Sequence, residues 1–280
     1  MYLEHFGLKQ APFHLTPDTE MFLGLAPHYE AIQTVLAALA MDEGVIKVSG
    51  EVGTGKTMVC RMLINQMGDD VQLVYLPNPA LDGDELRQAI ARELGLESSA
   101  VTVVGDIQER LLALNKQNKS VVLVVDEAQA LSDEALEVLR LFGNLETEQS
   151  KLLQIVLFGQ PELDERLALH HLRQLRQRIS YNVSLRALNF NEVVAYIDSR
   201  LTKAGGVSSI FNLAQKKAIW RASQGIPRLI NQITSKAMVL ACCQATMQVS
   251  NHQLYDAIHD TFDSCKPRFK SPRLWGWSNT

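Results

Sequence analysis

The chain opens on Met1-Tyr2-Leu3-Glu4-His5, which lacks the basic and apolar stretches of a secretion leader. Long apolar runs are missing too: Ala237 to Cys243 falls far short of the ~20 residues that a membrane span needs. Cysteine is scarce. The four present (Cys60, Cys242, Cys243 and Cys265) show neither metal-ligand spacing nor a disulfide framework. Adjacent Cys242 and Cys243 lie in an apolar helical stretch and read as buried, reduced thiols. Excess positive charge is also absent. With a net charge of −4, any contact with nucleic acid has to be a local patch. A chain that is 46% hydrophobic and 21% charged is not disordered as a whole. These absences predict a cytoplasmic protein whose 280 residues form one large domain or two smaller ones.

What is present begins with Gly50-Glu51-Val52-Gly53-Thr54-Gly55-Lys56-Thr57, which meets every fixed position of the phosphate-loop pattern G-x-x-x-x-G-K-[ST]. Val45 to Ser49 before it reads as a buried β-branched strand. Met58 to Met67 after it has the apolar spacing of a helix. Glycines let such a loop turn its N–H groups inward around a phosphate, at the positive end of the following helix. Lys56 is expected to reach the outer phosphates, the Thr57 hydroxyl to ligate magnesium, and the stretch through Met58 to hold the nucleotide.

The second chemical feature is Val121-Val122-Leu123-Val124-Val125-Asp126-Glu127. An unbroken valine-rich run suits a parallel strand buried on both faces. Ligands in open α/β sheets sit beyond the carboxyl ends of strands, so both acids face a nucleotide. Asp126 is expected to hold magnesium, mostly through water, and Glu127 to polarise the attacking water.

Further strands are expected at Val71 to Leu76, Leu152 to Phe158 and Ile179 to Leu185. Helices are expected at His28 to Met41, Asp84 to Leu94, Val104 to Leu114 and after Ser132, which caps a helix containing Ala135, Leu136, Leu139 and Phe142. Strands alternating with helices give a mostly parallel sheet. After Leu188 only helical periodicity remains, at Asn191 to Lys203, Asn212 to Ser223, Pro227 to Ala245 and Asn251 to Phe262. The expected organisation is a segment 1–27 packing on the core, a nucleotide-binding domain 28–188, a helical domain 189–262 and a tail 263–280. That tail gathers Lys266, Arg268, Lys270 and Arg273 beside Phe269, Trp275 and Trp277. It reads either as a plain C-terminus or as a surface for anionic membrane or an acidic partner.

The phosphate loop, the strand ending Asp-Glu and the helical domain together resemble the AAA+ ATPases, over nearly the whole chain. The resemblance implies an α/β P-loop NTPase fold, a parallel five-stranded sheet flanked by helices and followed by a small all-helical lid domain. It implies hydrolysis of ATP with Mg2+ in a homo-oligomer that forms a ring. Gln160 stands where that family puts its sensor 1 residue, usually Asn, Ser or Thr. Arg228, in Gly225-Ile226-Pro227-Arg228, matches the sensor 2 arginine at the start of a lid helix. Among Arg173, Arg176 and Arg178, the resemblance makes Arg178 the first choice for a finger into the neighbouring subunit's site and Arg176 the second. His28 and Tyr29 fall where the adenine packs.

A narrower resemblance is to the ExeA/GspA family. It rests on Tyr2-Leu3-Glu4-His5-Phe6-Gly7-Leu8, Pro12-Phe13, Leu15-Thr16-Pro17-Asp18, Phe158-Gly159-Gln160-Pro161-Glu162-Leu163, Leu172-Arg173-Gln174-Leu175 and Gln177-Arg178-Ile179. Members continue into a transmembrane helix and a peptidoglycan-binding domain, whereas this sequence stops. That departure directs the resemblance to a stand-alone ATPase of mannose-sensitive haemagglutinin (MSHA) pilus biogenesis, a type IV pilus. The partners so implied are inner-membrane pilus or secretion assembly components, with the chain cytoplasmic or peripheral at that membrane. A rival reading is a DNA-binding ATPase adaptor of the transposition type, which shares the core and the Gly-x-Pro-Arg start. The acidic balance weighs against stable nucleic-acid binding. A nucleotide switch that barely hydrolyses is a third reading, and Glu127 weighs against it.

Overall fold

A computed structural model describes residues 2–77, 79–148 and 150–267. Along the chain, α1 (Tyr2–His5) and α2 (Ala26–Ala40) precede β1 (Val45–Gly50) and α3 (Lys56–Ile64). Then come β2 (Val71–Leu76), α4 (Gly83–Glu93), α5 (Val103–Lys116), β3 (Ser120–Val125) and α6 (Asp133–Phe142). They are followed by β4 (Gln154–Gly159), α7 (Pro161–Leu167), α8 (Arg173–Arg178) and β5 (Ile179–Leu185). The rest is helical: α9 (Phe190–Lys203), α10 (Leu213–Ser223), α11 (Pro227–Cys243) and α12 (Asn251–His259). Two compact units result. One comprises His28–Val52 and Lys56–Leu185; the other comprises Met1–Pro27, Gly53–Gly55 and Arg186–Thr280.

The first unit carries a five-stranded sheet in the order β2-β3-β4-β1-β5. Every pairing is parallel, with Val125 beside Leu76 and Leu157, and Ser49 beside Gly159 and Ser184. The sheet bears out the fold class expected above. Central β1 and β4 are buried at every position, as parallel strands covered on both faces must be. Edge strand β5 alternates half-buried with exposed residues, which explains its partly alternating sequence. Leu123, Val125, Leu136, Leu139, Ile90 and Leu111 pack in one core, where Leu123→Ala would cost about 2–5 kcal/mol. Strand β4 begins at Gln154, later than the expected Leu152. Leu152 and Leu153 are buried, but their burial precedes the ladder.

The second unit is helical, and its helix starts are written in sequence. Asn189 with Glu192, Asn212 with Gln215, and Ser250 with Gln253 each form a reciprocal capping box. Helix α11 instead begins on Pro227, a residue suited to a position whose N–H has no partner within the helix. Phe6, Leu8 and Phe13 share a core with Val193, Ile197, Leu201 and Ile230. Polar bonds repeat the attachment. Buried Arg200 donates to Pro12 O at 3.1 Å, Asn231 to His14 O at 3.2 Å, and Lys203 to Glu20 O and Phe22 O at 2.9 and 2.8 Å.

Two expectations need correction. Cys243, the last residue of α11, is exposed, and Cys242 is half-buried against the helical core. Both thiols are free, as expected. Lys266 is also no free tail cation. Its ammonium donates to Ile258 O and His259 O at 2.7 and 3.0 Å, satisfying carbonyls at the end of α12. Arg268, Phe269, Lys270, Arg273, Trp275 and Trp277 lie outside the described residues. Among the described residues no helix is long and apolar enough to cross a membrane.

Candidate nucleotide-binding site

Strand β1 ends on Gly50 and α3 begins on Lys56, so the loop between them reverses direction in five residues. Gly53 and Gly55 hold φ of +83° and +104°, where a side chain is strained. Lys56 is 5% exposed, and its ammonium donates to Gly50 O at 2.7 Å and Glu51 O at 3.0 Å. Burial pushes the Lys56 pKa down, against the opposing pull of Glu127, Asp126, Glu51 and Glu162. Thr54 is buried, Val52 is exposed, and Thr57 and Met58 open α3 half-buried.

At the end of β3, Asp126 is 4% exposed and its N–H donates to Leu76 O at 3.0 Å. Its carboxylate accepts from the Thr57 hydroxyl and from Glu127 N at 3.0 Å. Burial raises the Asp126 pKa more than these bonds lower it. One buried cation and one buried anion thus stand close together, each strained by desolvation. A phosphate would relieve the first and a divalent cation the second. Hard oxygens from Thr57 and Asp126 fit Mg2+, which takes one or two protein oxygens and completes its shell with phosphate and water. Among the described residues no cluster of three His, Cys, Asp or Glu forms an all-protein cage.

Glu127 adopts a left-handed backbone, φ +57° and ψ +42°, uncommon for a residue with a side chain. Gln160, the N-cap of α7, donates from Nε2 to Glu127 Oε2 at 2.8 Å. The structure therefore brings together Lys56, Thr57, Asp126, Glu127 and Gln160, residues drawn from three segments of the chain.

Two participants escaped the sequence reading. Gln129 Nε2 also donates to Glu127 Oε2, while its Oε1 accepts from Gln160 N at 3.1 Å. Arg166 of α7 donates to Gln129 O and Leu131 O at 2.9 and 2.7 Å and pairs with Asp133. The Arg166 and His171 bonds hold the Asp133 carboxyl below its ordinary range. Gln129 had one visible signal, an amide two positions beyond the acid pair.

The remaining candidates lie as follows. His28 is buried and Tyr29 is 57% exposed. Arg173, Arg176 and Arg178 are all exposed on α8, with Arg178 in the field of Glu146. Arg228 is exposed at the start of α11, and its N–H donates to Gly53 O at 3.2 Å within the second unit. The turn before it demands glycine: Gly225 has φ +76°, and a Cβ there would lie 2.1 Å from Leu188 O.

A family model described as an AAA domain matches residues 39–167. In sequence the chain is 39% identical over 253 residues to General secretion pathway protein A of Aeromonas hydrophila. The match covers 89% of this chain and 46% of that protein, so the chain spans about half of its relative. Among solved structures, Aeropyrum pernix ORC2 in its ADPNP–ADP complexes aligns with a TM-score of 0.62 at 15% identity, over 85% of this chain and 68% of that one. Cdc6p from Pyrobaculum aerophilum aligns with a TM-score of 0.64 at 16% identity, over 86% and 70%. Likeness at such identity speaks for the fold. What these folds and the matched model share with the chain is the P-loop NTPase core: the sheet-bearing unit has that fold, and residues 39–167 within it match an AAA domain.

Proposed function

We propose that this chain is an ATPase that hydrolyses ATP with Mg2+ and uses the cycle to assemble or remodel a type II secretion-related machine or a type IV, MSHA-type pilus. The observation that carries the reaction is the Glu127 carboxylate, held by Gln160 in a left-handed turn next to Asp126 and the phosphate loop. In this reading the loop N–H groups from Glu51 to Met58 and the Lys56 ammonium bind the phosphates. Thr57 and Asp126 hold the metal, which neutralises charge on the transferring phosphoryl group when bound. Glu127 takes the proton of the attacking water while Gln160 fixes the carboxylate and contacts the γ-phosphate. Arg228 reaches the same phosphate from the start of α11, and His28 and Tyr29 flank the adenine. Arg178 completes the site of a neighbouring subunit, so the active unit is a ring.

The machine is supported by the 39% identity to General secretion pathway protein A. The site of action so proposed is the cytoplasmic face of the inner membrane. A test is retention of inner-membrane assembly components by Glu127→Gln protein loaded with ATP, compared with Lys56→Ala protein. Retention by the first variant alone is expected. Salt-sensitive retention of DNA with no assembly component would replace this reading with the DNA-adaptor one.

A further inference from the structure

A carboxylate acting as general base takes the proton on one oxygen, so bonds to its other oxygen fix its orientation. In Glu127 that second oxygen, Oε2, accepts from two amides, those of Gln160 and Gln129. Gln129 then closes the figure by accepting from the Gln160 backbone N–H at 3.1 Å. The result is a ring closed by three residues, Glu127, Gln129 and Gln160, drawn from the turn after β3 and the N-cap of α7.

The ring has its own scaffold. Arg166, near the end of α7, donates to the carbonyls of Gln129 and Leu131, and its other nitrogen pairs with Asp133 at the start of α6. Lys47 of β1 pairs with Asp164 on the same short helix. Helix α7 is thus tied both to the sheet and to the turn that carries Glu127. Gln129 is half-buried, and both ends of its amide are engaged inside this ring.

We propose that Gln129 is a positioning residue for hydrolysis. It holds Oε2 of Glu127 against Gln160, so that Oε1 is presented to the attacking water. The proposal rests on Glu127 being the base. Gln129 would act through Glu127 and not on ATP or water directly.

The test is the steady-state and single-turnover ATPase of Gln129→Ala and Gln129→Met, each also in the Glu127→Gln background, with affinity for a fluorescent ATP analogue. Met keeps the length of the side chain and loses both polar ends. Misplacement of a reacting group by about 1 Å costs on the order of a hundredfold, so kcat should fall about ten- to hundredfold. KM, nucleotide affinity and melting temperature should stay near wild type. In the Glu127→Gln background neither substitution should reduce the residual rate further. Wild-type kcat in both variants, with Glu127→Gln inactive, overturns the proposal alone. An equal fold-loss in the Glu127→Gln background, or a loss of affinity matching the loss of rate, also overturns it. Full turnover in Glu127→Gln removes the base itself, and the proposal with it.

Discussion

Lys47 and Lys56 are both buried lysines of the sheet-bearing unit, and burial lowers the pKa of each. Their partners differ in kind. Lys47, in the middle of β1, is paired with the Asp164 carboxylate of α7. Lys56, at the start of α3, bonds to two loop carbonyls, and its four carboxylate neighbours act on it only through their field. A buried lysine neutralised by its own carboxylate is finished, and its work is to hold α7 to the sheet. One that donates to carbonyls keeps its positive charge for an arriving anion. In the proposed function the same residue type, at either end of one short stretch, serves architecture in one place and chemistry in the other.

The largest expected effect breaks the comparison at the level of the assembly. A finger supplied in trans is worth about three to five orders of magnitude in rate in some nucleotidases. Arg178→Ala should bind ATP and hydrolyse it poorly, whereas Lys56→Ala should leave an empty site with an intact finger. Mixed after verified subunit exchange, the two should regain part of the wild-type rate. Activity that stays at the level of the single variants moves the role to Arg176. Next in size, Lys56→Ala should weaken ATP binding at least about a hundredfold in calorimetry, from the loss of charge-assisted hydrogen bonds.

Lys47→Met should do the opposite. It leaves Asp164 without its partner and should lower stability in urea by about 1–3 kcal/mol, less than a fully buried pair because the Asp164 side chain is 41% exposed. Its ATP affinity should remain within about twofold of wild type. The smallest effect concerns Asp126. Its folded pKa lies above the ordinary carboxylate value, so the native state binds more protons than the unfolded chain between the two values. Stability contributed by this group is therefore lost as pH rises through that window, and at neutral pH the buried charge costs stability. Asp126→Asn should raise the melting temperature of the nucleotide-free protein by roughly 2–4 °C, about 1 kcal/mol, while lowering turnover.

Much of this was legible because backbone geometry dictates it. The phosphate loop needs glycine where φ is positive and a lysine at the helix start, and both requirements are local in sequence. Asp126 and Glu127 were legible because an apolar strand stops there. Gln160 was found through family resemblance, and its bond to Glu127 follows from β4 lying beside β3. The role of Gln129 was not legible beyond its place two positions after the acid pair, since its bond to Gln160 spans 31 positions and leaves no periodic trace. Lys47 announced itself only as a cation inside an apolar strand. Its partner sits among Glu162 and Glu165, other acids of the same helix, and only packing selects Asp164. The exposed Cys243 was misread because apolar composition continues to the last residue of α11.

The central claim is that Glu127 acts on water at a site where Lys56 holds ATP. Wild type and Glu127→Gln should be compared side by side, with affinity for a fluorescent ATP analogue and phosphate release followed in the same preparation. The account predicts equal affinity and a turnover lower by about two to four orders of magnitude in Glu127→Gln, the range for loss of a general base. Equal turnover in the two proteins would contradict it.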